Sequence, residues 1–306
     1  MKPVRIATRG SDLALAQARG VAARLEAVLR VQTELVVLKT TGDRLRDVSL
    51  ARLGGKGLFV KEIEAALLDG RADLAVHSAK DLPATLAPGL ELVAFPERAD
   101  ARDALVARES GATLGSLPRG ARVGTGSVRR AAQLRALRPD LVIAPLRGNV
   151  PTRLRKLESE DLDAVVLACA GLDRLGLGGR IDERIEPEQM LPAVGQGVLA
   201  VQGRVADPVA RDVAALSDAS CVQCLAAERS FLAGLGGDCT TPLAALAERT
   251  APGALCLRAL LSSPDGARIL RHEGQGRPEQ AAELGAAAAR AVLAEGGAEL
   301  LREVQA

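Results

Sequence analysis

Tryptophan and tyrosine are absent from the 306-residue chain and phenylalanine occurs only three times, which removes the aromatic platforms on which single-stranded nucleic acid usually stacks. Basic and acidic residues nearly cancel, 40 against 38, so no single-sign field exists that would coat nucleic acid or a membrane surface. No uninterrupted apolar run reaches the roughly 18 residues that a membrane-spanning helix needs. The opening Met1-Lys2-Pro3-Val4-Arg5-Ile6 has no apolar signal region. The expectation is a cytoplasmic protein that is neither membrane-bound nor secreted. Histidine occurs twice, as His77 and His272, and cysteine five times. An odd number of thiols in a long chain is a poor disulfide framework.

What is present is ample apolar material, 48% of the residues, enough for two or three modest domains. The opening pattern predicts a strand over 4–7, a short loop over 8–11 and a helix over about 12–30 with Ser11 as N-cap. A second strand over 34–38, a polar loop over 40–56, a helix near 59–68 closed by Gly70 and a strand over 73–77 continue the βαβ alternation. After a strand over 90–95, the polar stretch 96–102 has the composition of a hinge. The alternation then restarts with strands at 122–124, 141–144 and 164–168 and helices at 127–137 and 151–157. Beyond Pro192-Ala193-Val194-Gly195-Gln196-Gly197 come a strand-like segment over 198–201 and helices near 208–216 and 219–235. The tail, with strands over 254–261 and 269–273 and an Ala-rich helix over 280–295, has the pattern of a smaller α+β domain. No repeat of 20 to 50 residues stands out.

Arginines recur where strands give way to helices: Arg9, then Arg129 and Arg130, then Arg147 and Arg153. A cation in the first turn of a helix opposes the helix dipole, so an anion between such residues would turn an unfavourable cluster into a binding site. Pairing with nearby Asp or Glu is the competing reading. In Val76-His77-Ser78-Ala79-Lys80-Asp81, a hydroxyl, an ammonium and a carboxylate sit at the end of an apolar strand, the usual ligand end of an open α/β sheet. There the alternatives are a surface ion pair and a satisfied structural histidine. Cys221-Val222-Gln223-Cys224 has redox or metal spacing but no nearby histidine, and its spacing also suits two buried thiols on one helix. Cys169 and Cys256 fall in apolar strand patterns. Cys239, in Gly236-Gly237-Asp238-Cys239-Thr240-Thr241-Pro242, lies in a loop where a thiol is accessible to act as a nucleophile.

Taken in order, VRIATRGS, GGKGLFVKEIE, AVHSAKDLP, VGTGSVRRAAQL, LRGNVPTRL, AGLDRLGL, LPAVGQG and GGDCTTP resemble the motifs of porphobilinogen deaminases over nearly the whole chain. The resemblance implies an α/β protein of three domains. Two are lobes like those of periplasmic binding proteins, over 1–98 with 198–216 and over 103–193; the third is a small α+β domain over 220–306. It implies a dipyrromethane cofactor joined by a thioether to Cys239, porphobilinogen as substrate, no metal and a monomer. Asp81 matches the catalytic aspartate, a carboxylate suited to stabilise the positive charge that develops as ammonia is lost. Lys80, Asp81, Ser78, Thr125, Ser127, Arg129, Arg130, Arg147 and Gly148 match cofactor-binding positions. Arg9, Ser11, Arg147, Arg153, Arg174 and Gln196 match substrate-binding ones, as do Lys56 and Phe59 in a covering loop that also carries Gly54, Gly55 and Gly57.

Three positions depart from the commoner pattern. Asp238 stands where glycine is usual, and a carboxylate there is expected to raise the Cys239 pKa and slow cofactor attachment. Thr240 replaces a longer polar or basic residue, and Asp12 replaces a proline, without cost in a first helical turn. Two rival classes share some of these features. A binding protein for an acidic ligand would keep its affinity in Cys239→Ala, and an RNA-binding protein would show a steep salt dependence.

Overall fold

The computed structural model describes residues 2–40, 60–83, 85–237, 240–251 and 253–305. Lys56, Phe59 and Cys239, with Gly54, Gly55, Gly57 and Asp238, lie outside the described residues. By internal contacts the chain forms two compact units, residues 1–99 with 197–222 and residues 100–196 with 223–306.

The first unit begins with β1 (Val4–Arg9), buried at Val4, Ile6, Ala7 and Thr8. This strand runs two residues further than the apolar pattern suggests, because Thr8 and Arg9 still pair with Val37 and Leu38 of the neighbouring strand. Helix α1 (Asp12–Leu29) starts at Ser11, whose hydroxyl accepts from the Ala14 N–H. It ends at Arg30, which adopts the left-handed conformation. Strand β2 (Thr33–Leu38), helix α2 (Lys61–Leu68), strand β3 (Leu74–Ser78) and strand β4 (Leu90–Ala94) follow.

The second unit opens with β5 (Asp103–Ala107) and continues through β6 (Arg122–Thr125), α3 (Val128–Leu137), β7 (Val142–Pro145), α4 (Val150–Ser159), β8 (Ala164–Ala168), α5 (Cys169–Arg174) and β9 (Glu183–Ile185). The chain then returns to the first unit for β10 (Leu199–Arg204) and α6 (Pro208–Val213), and α7 (Ala219–Leu235) leads away from it. The last part comprises β11 (Leu243–Ala251), β12 (Ala254–Ser262), β13 (Ile269–Gly276), α8 (Ala281–Val292) and α9 (Ala298–Gln305).

The two large sheets share one plan. In the first unit the order is β2-β1-β3-β10-β4, with β1 parallel to β2 and β3, and β10 antiparallel to both its neighbours. In the second the order is β7-β6-β8-β5-β9, with β6 parallel to β7 and β8, and β5 antiparallel to both of its neighbours. Even single bonds correspond: the Ala79 N–H donates to Val198 O just past β3, and the Cys169 N–H donates to Arg102 O just past β8. Ser127 caps α3 as Ser11 caps α1. The molecule therefore does contain an internal duplication, at a spacing too long and with too little shared sequence to register as a short repeat.

The small domain is a β11-β12-β13 antiparallel meander, packed by Phe231, Leu235, Leu257, Leu261, Ala288 and Val292. Three strands lie outside the sequence-based expectation. Strands β5 and β9 follow polar stretches, and β11 is rich in alanine and leucine, whose helical propensity is overridden by pairing with β12. Cys169 is the first residue of α5 and not part of a strand. The Ala-rich helix ends at Val292, and Gly296 with φ of 103° turns the chain into α9.

Helix α8 lies against α7 at Gly285. A Cβ there would fall inside the radius of Ala227 O and meet Ser230 Cβ at 2.8 Å. Gly285→Ala is expected to lower stability by about 1–3 kcal/mol through overpacking. Gly70→Ala, with nothing within 4 Å but a φ of 67°, is expected to destabilise through backbone strain alone. Thermal melts of both variants check the contrast.

Candidate functional site

In the first unit, β1 and β3 are neighbouring parallel strands, and their carboxyl ends deliver functional side chains to one place. A small pocket is lined by Arg9, Gln17, His77, Ser78 and Asp81 together with Ala14, Val60, Ile63 and Val76. Arg9 is the last residue of β1. Ser78 ends β3, and Lys80 and Asp81 lie in the single 3₁₀ turn that follows. Asp81 is exposed and Lys80 half-buried. The Ser78 hydroxyl accepts from Gln17 Nε2 at 2.9 Å, which fixes it from α1.

Beneath this pocket His77 is buried, with Nε2 3.0 Å from Gln202 Oε1. The Gln202 amide in turn donates to Glu64 Oε1 at 2.9 Å. Because the Gln202 oxygen accepts, His77 Nε2 carries the proton. Burial pulls the His77 pKa down to about 4, with the Gln202 bond opposing and the charge of Arg9 adding to the fall. His77 is therefore a neutral, satisfied histidine, a support for the pocket floor.

In the second unit the equivalent place, the first turn of α3, is charged. Arg129 and Arg130 are buried against the carboxylate of Asp103, the first residue of β5, which is itself 0% exposed. Arg129 Nη1 donates to Asp103 Oδ2 at 2.7 Å. Arg130 donates to Asp103 Oδ1 through Nε at 3.0 Å and Nη2 at 2.7 Å, and Gln196 Nε2 reaches the same oxygen at 2.9 Å. Burial alone would raise the Asp103 pKa, but the two guanidinium charges and their hydrogen bonds hold it well below the usual carboxylate range. Burial also lowers the Arg129 pKa against the opposing pull of Asp103. Two guanidiniums against one carboxylate leave one positive charge in excess. Arg129 Nε is buried without a hydrogen-bond partner among the described residues.

The other expected site residues are distributed as follows. Thr125 ends β6 and its hydroxyl accepts from the Ser127 N–H at 3.2 Å. Ser127 accepts from the Arg130 N–H at 3.5 Å. Arg147 and Gly148 follow β7, and Arg147 makes no hydrogen bond or ion pair among the described residues. Gly148 has φ of 115° and its carbonyl accepts from Arg153 Nε at 2.8 Å. Arg174 is the last residue of α5. Its neighbour Asp173 accepts from Arg184 Nη1 at 3.0 Å and Nη2 at 2.9 Å. Gln196 also donates to Ala101 O at 2.7 Å.

Asp103, Gln133, Gln17, Gln202 and Glu64 were not anticipated from the sequence. The one readable signal was the shared Gly-Ser-x₅-Gln of residues 10–17 and 126–133. Cys221 and Cys224 are buried on α7, and no cluster of three or more His, Cys, Asp or Glu residues among those described could hold a metal. Burial pushes the Cys169 thiol up to about 12. No described helix is long and apolar enough to cross a membrane.

Two α/β sheets of one plan, one with a carboxylate-bearing pocket at its strand ends and the other with a buried excess of guanidinium charge, define a duplicated α/β protein. Residues 4–212 match the family model described as porphobilinogen deaminase, dipyromethane cofactor binding domain. Residues 222–294 match the one described as porphobilinogen deaminase, C-terminal domain. The chain belongs to the porphobilinogen deaminase family. It is 55% identical to a porphobilinogen deaminase of Sorangium cellulosum over 92% of this chain and 95% of that one. Identity to that of Bordetella parapertussis is 52%, over 98% and 95%, and to that of Syntrophomonas wolfei 46%, over 100% of each. Among solved structures it is similar to the VFT2 domain of Bordetella pertussis BvgS, at 16% identity and a TM-score of 0.42, covering 74% of this chain and 91% of that one.

The two buried networks predict distinct responses. His77 binds protons less readily folded than unfolded, so its share of stability is complete above its unfolded pKa of about 6.5. That share is lost as pH falls towards its folded value of about 4, a change of roughly 2–3 kcal/mol. In His77→Gln the stability lost between pH 6.5 and 4 is expected to shrink by that amount, as read from urea unfolding. Asp103→Asn leaves two buried guanidiniums without their counter-ion and is expected to cost about 3–5 kcal/mol, measured in the same way at pH 7.

Proposed function

We propose that the chain is a hydroxymethylbilane synthase that condenses four porphobilinogen molecules head to tail, with loss of ammonia, for tetrapyrrole biosynthesis. The observation that carries this reading is the 52% identity to a porphobilinogen deaminase over 98% of the chain. In this reading Cys239 holds a dipyrromethane through a thioether, and that group supplies the pyrrole carbon from which the product grows. The residues present fit a cofactor bearing several carboxylates: Arg147 has no partner among the described residues, and Arg129 offers a buried, unpartnered Nε–H beside an excess positive charge.

The roles then divide by unit. Arg129, Arg130 and Arg147, with Thr125, Ser127 and Gly148, hold carboxylates of the cofactor; guanidinium forks suit bidentate carboxylate binding. Lys80 and Ser78 assist from the first unit, and Gln17 orients the Ser78 hydroxyl. Arg9, Ser11, Arg153, Arg174, Gln196, Lys56 and Phe59 serve substrate and growing chain. Asp81 is the catalytic group. Its carboxylate, exposed at the end of β3, stabilises the positive charge that develops on a pyrrole as ammonia departs, and it accepts or returns the pyrrole N–H proton. The three domains proposed are 1–98 with 198–216, 103–193 and 220–306, acting as a cytoplasmic monomer without metal and without nucleic acid.

The purified chain, weighed intact, is expected to carry an adduct the size of a dipyrromethane that is missing from Cys239→Ala; the bare mass before and after incubation with porphobilinogen would overturn the reading. Asp81→Ala is expected to keep the adduct and the melting temperature while turnover falls more than tenfold, a loss above ~1.4 kcal/mol of transition-state stabilisation. Arg147→Leu is expected to stall cofactor assembly at parental stability.

A further inference from the structure

We infer that Gln133 is a positioning residue for Arg129, acting through the backbone of Leu191; this rests on the reading that Arg129 holds ligand carboxylates. Gln133 lies on α3 one turn beyond Arg129 and on the same helical face. It is 1% exposed and uses both ends of its amide on one residue. Its Oε1 accepts from the Leu191 N–H at 2.8 Å and its Nε2 donates to Leu191 O at 2.9 Å. This is the two-point pairing of a strand ladder, made by a side chain.

The Leu191 carbonyl also accepts from Arg129 Nη1 at 2.6 Å. Its two lone pairs are thus divided between Gln133 and Arg129. Arg129 Nη1 is itself shared between that carbonyl and Asp103 Oδ2. The orientation of the Leu191–Pro192 peptide plane, which carries that carbonyl, therefore sets where the guanidinium sits, and Gln133 holds it by bonding the Leu191 carbonyl on one side and the Leu191 N–H of the preceding peptide on the other. The Pro192 carbonyl accepts from the Ala245 N–H at 3.2 Å, so residue 192 is held by β11 and the amide of Gln133 secures the residue before it.

The first unit supplies an internal comparison. Gln17 stands six residues after Ser11, as Gln133 stands six after Ser127. The positions matching Arg129 and Arg130 there are Leu13 and Ala14, and Gln17 bonds the Ser78 side chain. Where no arginine needs placing, the same amide has a different task.

The test follows cofactor assembly by intact mass, with the full chain, produced free of the adduct in cells that make no porphobilinogen, incubated with porphobilinogen, in the parent, Gln133→Met, Arg129→Lys and the double variant. Gln133→Met is expected to slow acquisition of the adduct at least tenfold in the parent and less than twofold when Arg129 is already lysine. An equal penalty in both backgrounds would make the amide a general packing element, and no penalty in the parent would show that Leu191 stays in place without it; either result overturns the inference. Gln133→Glu keeps an acceptor for the Leu191 N–H but sets an oxygen against its carbonyl. It is expected to load as slowly as Gln133→Met, and parental loading in a folded Gln133→Glu chain also overturns the inference. Parental loading by Arg129→Lys alone would instead remove the assigned role of Arg129, and the positioning role with it.

Discussion

The carboxylate of Asp103 is the point on which the second unit turns. It sits at the first residue of the crossing strand β5 and accepts from two arginines on α3 and from the Gln196 amide. Arg130 extends the network to Val166 O on β8, and Arg129 extends it to Leu191. One buried anion thus ties together a helix, two sheet strands and the segment that leads out of the unit. Buried ion pairs seldom add net stability over well-packed apolar residues. What this one provides is two guanidiniums whose rotamer entropy is already lost on folding, with one positive charge in excess of the carboxylate between them.

The first unit shows the same frame without the charge. Leu13, Ala14 and Leu199 occupy the places of Arg129, Arg130 and Asp103, as the matching helix caps and sheet registers establish. Its polar groups lie instead at the end of β3, where Ser78, Lys80 and Asp81 follow one another. The buried His77 and Gln202 below, with the half-buried Glu64, form a hydrogen-bonded chain at that end of the sheet without contributing a charge from the imidazole. The duplicated architecture thus buries a pair of guanidiniums on the first turn of α3 in one unit and, in the other, presents a carboxylate beside Lys80 just past β3.

Much of this was legible in the sequence where the cause of structure is local. Ser11 announces the first helix as its cap, Ser127 marks the start of the matching helix to within a residue, and the alternation of strands and helices yields the parallel strands of both sheets. The site peptides carry the family resemblance, and among the described residues Arg9, Ser78, Thr125 and Arg147 stand at or just past the carboxyl ends of their strands, where α/β sheets bind ligands. The misses arose where the cause is remote. Strand β5 is buried at all five positions, so it lacks the alternation that marks a half-buried strand. Asp103, at its head, looks like one more surface acid until Arg129 and Arg130 close over it. Gln133 meets its partner 58 residues away, beyond the reach of any local pattern.

The crossing of the chain between units bears on the order in which a ribosome can deliver a foldable sheet. In the first unit, among the described residues, β4 hydrogen-bonds only to β10, so its five strands cannot assemble until residue 204 has been made. The second unit's sheet has all its strands once residue 185 has emerged. The half synthesised first is therefore the half whose sheet closes last, and during translation β3 waits with an open edge that only a strand encoded more than a hundred residues later, Leu199–Arg204, fills.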